Sequence, residues 1–422
     1  MRTIHMQVTK LSNGITLICY PIKHAQSVEI GLYVKAGSRY ENETNNGITH
    51  LLEHMHFRQL GDMEQEQIYT NTECMGSALR GTTYKDMLQF NMKIRPKYLE
   101  KALLLFKNIL TTYNWSELQL ESEKKIVLNE LLEKEDKLLF QAIIDEAIWT
   151  KHPLSQQILG SKEIVENISL EKLVEYKKQI FCKENVALII TGAIDNDKIK
   201  SITGNFESIS LSDRKEKLID EVVEKQFKRK PNIILEKFSS WSLVDVQLSF
   251  DVNLETIKEN ELLFLNSIIG GGDGSILQRE IREKLGMVYE IYSEVEIYNG
   301  TAVMSIIFSI EKKKLYIGLE KIAKILKELN ISQKDIDNNI VFFTDNLWYW
   351  EEDSYMLNFQ LGSDFVNGKK LLTIEERIEE NNKIKYSRMR QLSDVIFKPE
   401  NMSLIVMGSV YNITKKSLRE IF

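Results

Sequence analysis

Apolar and polar positions alternate along some stretches of this chain and recur every three or four residues along others, and the succession is written twice. Val28-Glu29-Ile30-Gly31-Leu32 matches Val244-Asp245-Val246-Gln247-Leu248, 216 residues on (28 to 244), and both read as strands. Tyr98-Leu99-Glu100-Lys101-Ala102-Leu103 and Lys314-Leu315-Tyr316-Ile317-Gly318-Leu319 each open an amphipathic helix. Glu184-Asn185-Val186-Ala187-Leu188-Ile189-Ile190-Thr191-Gly192 and Glu400-Asn401-Met402-Ser403-Leu404-Ile405-Val406-Met407-Gly408 each read as a buried strand ending in glycine. One offset serving three separated segments makes the halves copies of a single α+β unit.

In the first copy, Ser12-Asn13-Gly14 between two apolar runs is a hairpin signal. A strand over 27–36, a helix from about 46 to 57, strand-like residues 79–93 and long helices through 95–180 follow. The charge-rich stretch 213–231 reads as a linker, which gives domains 1–212 and 232–422.

Composition narrows the function. The chain has 422 residues, 43% of them hydrophobic, with a formal net charge of −6 and no basic stripe interleaved with aromatics. Nucleic acid is therefore not an expected partner. Cys19, Cys74 and Cys182 are odd in number and far apart, a pattern of a reducing compartment rather than a disulfide framework. The first residues lead straight into a strand pattern without the apolar core of a signal peptide, and no apolar run reaches the roughly 18 residues of a membrane span. The expectation is a cytoplasmic protein.

The chemistry is concentrated in His50-Leu51-Leu52-Glu53-His54. Two histidines four residues apart on a helix are separated by about 40° of rotation, so both imidazoles leave one face. Glu53 shares that face. The spacing suits one zinc ion held by His50 and His54, with Glu53 as the general base beside its water. The order H-x-x-E-H marks the inverted zinc peptidases. A catalytic zinc takes a third protein ligand, and Glu130 is a candidate, with Glu123 seven residues earlier on the same helical face as a hydrogen-bond partner for a ligand histidine. Glu117, Glu121, Glu133 and Glu135 crowd the same stretch, so spacing alone does not single out Glu130. At the 216-residue offset the ligand positions become Asn266, Ile269, Gly270 and Asn346, so the second copy lacks the site. Gly270-Gly271-Gly272 is followed by no lysine-serine pair and reads as a turn closing a helix, not a phosphate loop.

With these residues the chain resembles the pitrilysin–insulinase family of zinc peptidases, in particular the short-chain branch that includes the mitochondrial processing peptidase and bacterial homologues. The likeness runs from Gly37-Ser38-Arg39-Tyr40-Glu41 through the motif to the Glu123…Glu130 stretch. It resumes at Gly270-Gly271-Gly272 and Glu280-Ile281-Arg282-Glu283-Lys284-Leu285-Gly286-Met287-Val288-Tyr289. The resemblance implies two α/β-sandwich domains, each a mainly antiparallel sheet packed with helices, together forming half of a clamshell. It places the third ligand about 76 residues after the second histidine, at Glu130 (54 to 130). It implies that Arg282 and Tyr289 contact the substrate backbone near the scissile bond, and that an edge strand within 81–90 pairs with the peptide. The segment Leu79-Arg80-Gly81-Thr82-Thr83 departs from the family's usual Leu-Asn-Ala. Gly81 and Thr82 can still pair through backbone groups, while Arg80 either biases the site toward acidic substrates or is a salt-bridged structural residue. The implied activity is zinc endopeptidase cleavage of unfolded peptides or leader segments, by a homodimer or by a heterodimer with a homologous subunit. The alternatives are a non-catalytic peptide-binding subunit and a dedicated maturation peptidase for a ribosomally made peptide.

Overall fold

The structure is a computed structural model that describes residues 6–213, 232–329 and 331–422. Apart from Asp213, the stretch expected as a linker lies outside the described residues.

The first sheet has six strands, in spatial order Gln7–Lys10, Thr16–Pro21, Val186–Gly192, Val28–Val34, Leu88–Ile94 and Arg80–Thr83. The expected hairpin joins the first two as an antiparallel pair. The second sheet runs Ile233–Lys237, Met402–Gly408, Val244–Val252, Thr301–Ile310, Val288–Tyr298. Apart from Gln7–Lys10 the two orders are the same, including one parallel pair in each. The helix Leu99–Thr111 recurs as Leu315–Lys327, and Glu117–Glu133 as Gln333–Glu352, at the offset read from the sequence. The fold is thus mixed helix and sheet in two homologous domains, each with mostly antiparallel pairing.

The offset is not kept everywhere. The motif helix Ile48–Arg58 has its counterpart at Glu259–Ile269, because the connection 253–258 is shorter than 35–47. In that register His50, Glu53 and His54 correspond to Glu261, Phe264 and Leu265 rather than to Asn266, Ile269 and Gly270. The conclusion is unchanged, since the chain has no histidine beyond His152. The expected 81–90 edge strand is also divided. Arg80–Thr83 folds back antiparallel on Leu88–Ile94 through a turn in which the Tyr84 amide donates to the Met87 carbonyl at 2.7 Å. The polar pair Lys85-Asp86 cannot extend a half-buried strand, and the Lys85 carbonyl instead accepts from the Arg39 amide.

The two compact units are not contiguous in sequence. Trp348–Thr373 belongs to the first unit and Ile143–Thr150 to the second. The reason is visible in the sheets, whose central strands are buried on both faces. In the first unit, one face of Val28–Val34 and Val186–Gly192 packs in the core with Leu51, Leu52, Met55, Phe106 and Ile109. The other is covered by the helix Ser354–Val366, where Asn358 accepts from the Tyr33 hydroxyl at 2.8 Å and donates to the Ile189 carbonyl at 3.0 Å. In the second unit Trp149 packs edge-on against Tyr298, with ring centroids 5.7 Å apart.

Small residues permit the close approach in the first unit. A Cβ at Gly362 would stand 2.3 Å from the Tyr33 ring, and one at Gly31 2.2 Å from Asn358 Oδ1. Gly362→Val is expected to lower stability by about 1–3 kcal/mol through overpacking. Gly204, in the helix Asn196–Glu207, has nothing within 4 Å of such a Cβ. Gly204→Ala should therefore raise stability by about 0.5–1 kcal/mol through helix propensity. Urea unfolding of both variants checks the contrast. Among the described residues no helix is long and apolar enough to cross a membrane.

Candidate functional site

The helix Ile48–Arg58 is anchored from both sides of its sequence. Leu51, Leu52 and Met55 are fully buried in the core. Its first turn is held by the carboxylate of Glu41, which accepts from the Gly47 amide at 2.7 Å, the Thr49 amide at 2.8 Å and Asn46 Nδ2 at 2.9 Å. These amides would otherwise be unpaired at a helix N-terminus, where a negative charge is also favoured by the helix dipole. Burial pushes the Glu41 carboxyl pKa up, against those hydrogen bonds. Glu41→Ala is expected to cost about 1–3 kcal/mol by leaving buried donors unmet. Urea unfolding measures it, and loosening of the turn that carries His50 should weaken metal retention alongside.

His50 and His54 leave this helix side by side, ring centroids 4.5 Å apart, and face the helix Glu117–Glu133. Glu130 Oε2 lies 3.1 Å from His50 Nε2 and 3.7 Å from His54 Nε2. Ligand atoms of His50, His54 and Glu130 all fall within 4.8 Å of one another. On the far side of His54, about two helical turns before Glu130, Glu123 Oε1 accepts from His54 Nδ1 at 2.9 Å, and Glu123 also accepts from Arg58 Nε. A proton on Nδ1 leaves the Nε2 lone pair of His54 directed at Glu130.

The charges support one another. Burial disfavours a charged His50, yet its hydrogen bonds to Glu130 and Glu53 raise its pKa to about 9. The His50 contact, helped by Lys134, lowers Glu130 to about 2. Burial opposes ionisation of Glu123, but His54 and Arg58 hold it below the usual carboxylate value. Two imidazoles and a converging carboxylate form a compact nitrogen–nitrogen–oxygen donor set.

Glu53 stands beside this set, with Oε2 3.8 Å from His50 Nδ1 and accepting from Thr83 Oγ1 at 2.5 Å. Gly81 lies over it, and a Cβ there would come 2.7 Å from Glu53 Cγ. Alternation along the strand Arg80–Thr83 puts Gly81 and Thr83 on the Glu53 face. Arg80 and Thr82 line a cavity of about 650 Å³ that does not include Glu53. Arg282 lies on the π-helical turn Gln278–Glu283 of the second unit, 3.2 Å from Glu283, and Tyr289 near the start of Val288–Tyr298 is 87% exposed. Sequence reading missed Glu41, Arg58 and Thr83. Thr83 was within reach, two residues beyond Gly81 and hence on the same strand face.

Comparison with known proteins follows the same lines. The model of the family described as Insulinase (Peptidase family M16) matches residues 18–162, and that described as Peptidase M16 inactive domain matches 167–340. The chain belongs to peptidase family M16. The first M16 match contains the whole histidine–glutamate cluster, and the second spans Arg282 and Tyr289. An "Uncharacterized zinc protease" of Rickettsia bellii is 25% identical over 95% of this chain and 97% of its own length. The beta subunit of the mitochondrial-processing peptidase of Neurospora crassa is 27% identical over 49% of this chain and 44% of its own. In fold the chain is similar to a solved protease from Helicobacter pylori, with a TM-score of 0.86 at 19% identity over 96% of this chain and 99% of that one.

Proposed function

We propose that this M16 chain is a zinc-dependent endopeptidase acting on unfolded peptides or leader segments. The observation that carries the reading is the convergence of His50, His54 and Glu130 on one point, with Glu53 beside it. Two imidazole nitrogens and one carboxylate oxygen fit a zinc site that keeps a position open, one ion per chain. When bound there, zinc supplies a Lewis acid that polarises the scissile carbonyl and acidifies water.

The chain's own residues do the rest. Glu53 accepts the proton of the attacking water and delivers it to the leaving amine. Its carboxylate is held for this by the Thr83 hydroxyl and by the close backbone of Gly81. Glu123 fixes the tautomer and ring plane of His54. Arg80–Thr83 is an edge strand, and its backbone groups at Gly81 and Thr82 can pair with an extended peptide. Arg282 and Tyr289 carry donors suited to a substrate carbonyl or developing oxyanion.

On this reading residues 1–212 form the zinc domain, 232–422 contribute to substrate binding, and a second copy or a homologous subunit completes the enzyme. Cys19, Cys74 and Cys182 are all free thiols, which fits work in the cytoplasm. The test is zinc content together with cleavage of a quenched fluorescent peptide library, for wild type and Glu53→Gln. One zinc per chain with cleavage by wild type alone establishes the peptidase; absence of zinc from the purified and zinc-reconstituted protein overturns it.

A further inference from the structure

Beside the edge strand is a cavity that the proposed chemistry leaves unused. Arg80 and Thr82 line it together with Lys93 and Asn91 of the adjoining strand, Arg95 just beyond that strand, and Tyr355 of the covering helix. Arg80, Lys93 and Arg95 are all exposed. Among the described residues, none of these three makes a side-chain hydrogen bond or an ion pair with a carboxylate. The carboxylate on the cavity wall is Glu29, 1% exposed and accepting from Asn91 Nδ2 at 2.9 Å. Burial raises its pKa, with Asp353 acting in the same sense, while the Asn91 hydrogen bond, Lys93 and Arg80 oppose the shift. Three cations against two carboxyl groups, the buried Glu29 and Asp353 that acts on it, leave the cavity net positive.

The strand geometry ties this charge to the substrate. A peptide added to the free edge of Arg80–Thr83 continues the pleat, so its side chains alternate between the Glu53 face and the cavity face. We infer that the cavity is a specificity subsite for an acidic side chain of the substrate peptide, at a position alternating with the residues that face Glu53. The inference rests on the peptidase reading and adds the substrate class. Arg80 and Lys93 are its specificity-determining residues; a carboxylate side chain matches the charge, and the volume of about 650 Å³ admits it with room to spare.

The experiment uses the full chain and quenched peptides identical except for one residue, set to Glu, Gln or Lys at each position in turn. Wild type is expected to favour Glu over Gln at one or more alternating positions by on the order of tenfold in kcat/KM at low ionic strength, less at high salt. Arg80→Glu and Lys93→Glu should remove that preference and favour Lys, with zinc content unchanged. A second arm reads binding without turnover, as fluorescence anisotropy of the labelled Glu and Gln peptides with Glu53→Gln. Equal handling of Glu and Gln in both arms, or a preference that survives both charge reversals, overturns the subsite. No cleavage by wild type, with tighter binding of the Glu peptide that the reversals abolish, supports the subsite and sinks the peptidase reading instead.

Discussion

Glu53→Gln retains its zinc and loses peptide hydrolysis by about 10²–10⁴-fold, the usual contribution of a positioned general base. The substitution is nearly isosteric. The amide oxygen of glutamine can still accept from Thr83 Oγ1, and the Gly81 backbone that crowds Glu53 Cγ keeps the side chain in place. The metal donors His50, His54 and Glu130 are untouched, so zinc content measured by elemental analysis should match wild type. What is lost is a group that can take a proton. The expected signature is therefore a fall in kcat with KM little changed, since the removed interaction belongs to the transition state. Turnover within a few-fold of wild type would move the base to another residue. Zinc loss in the variant would make Glu53 a structural member of the cluster.

The parts of this molecule legible in its sequence are those governed by local periodicity. The strand Val186–Gly192 and the start of the helix Leu99–Thr111 follow from the sequence, because apolar runs and the three-to-four spacing report burial directly. The metal helix was legible for a second reason: His50 and His54 carry their geometry in their spacing. Periodicity does not say which sheet an amphipathic helix covers. The placement of Ser354–Val366 on the first sheet, made possible by Gly31, Tyr33 and Gly362, therefore does not follow from the sequence. Nor does it say which face of an edge strand meets the metal helix. The sequence places Arg80 and Gly81 side by side, and only the pleat shows that Gly81 meets Glu53 while Arg80 lines a cavity without it. The choice among the crowded glutamates came from the family resemblance, because seven-residue spacing makes Glu123 and Glu130 equivalent on a bare helix.

Their surroundings make them different, and the difference is measurable. Glu123→Gln should weaken zinc binding by about 10–100-fold, the usual effect of losing a hydrogen-bond partner of a ligand histidine. Glu130→Gln should weaken it further, to the point where the purified chain no longer holds a full complement of metal. Glu130 Oε2 faces both ring Nε2 atoms, at 3.1 and 3.7 Å, and a neutral amide in its place removes the one anionic donor of the set. Glu123 instead faces His54 Nδ1 and Arg58, on the side away from the converging atoms. Its replacement leaves all three donors and disturbs only the tautomer and tilt of one ring. Competition against a chelator of known affinity ranks the two variants. The opposite order, with Glu123→Gln the more damaging, would exchange their roles: Glu123 would be the ligand and Glu130 the residue that orients it.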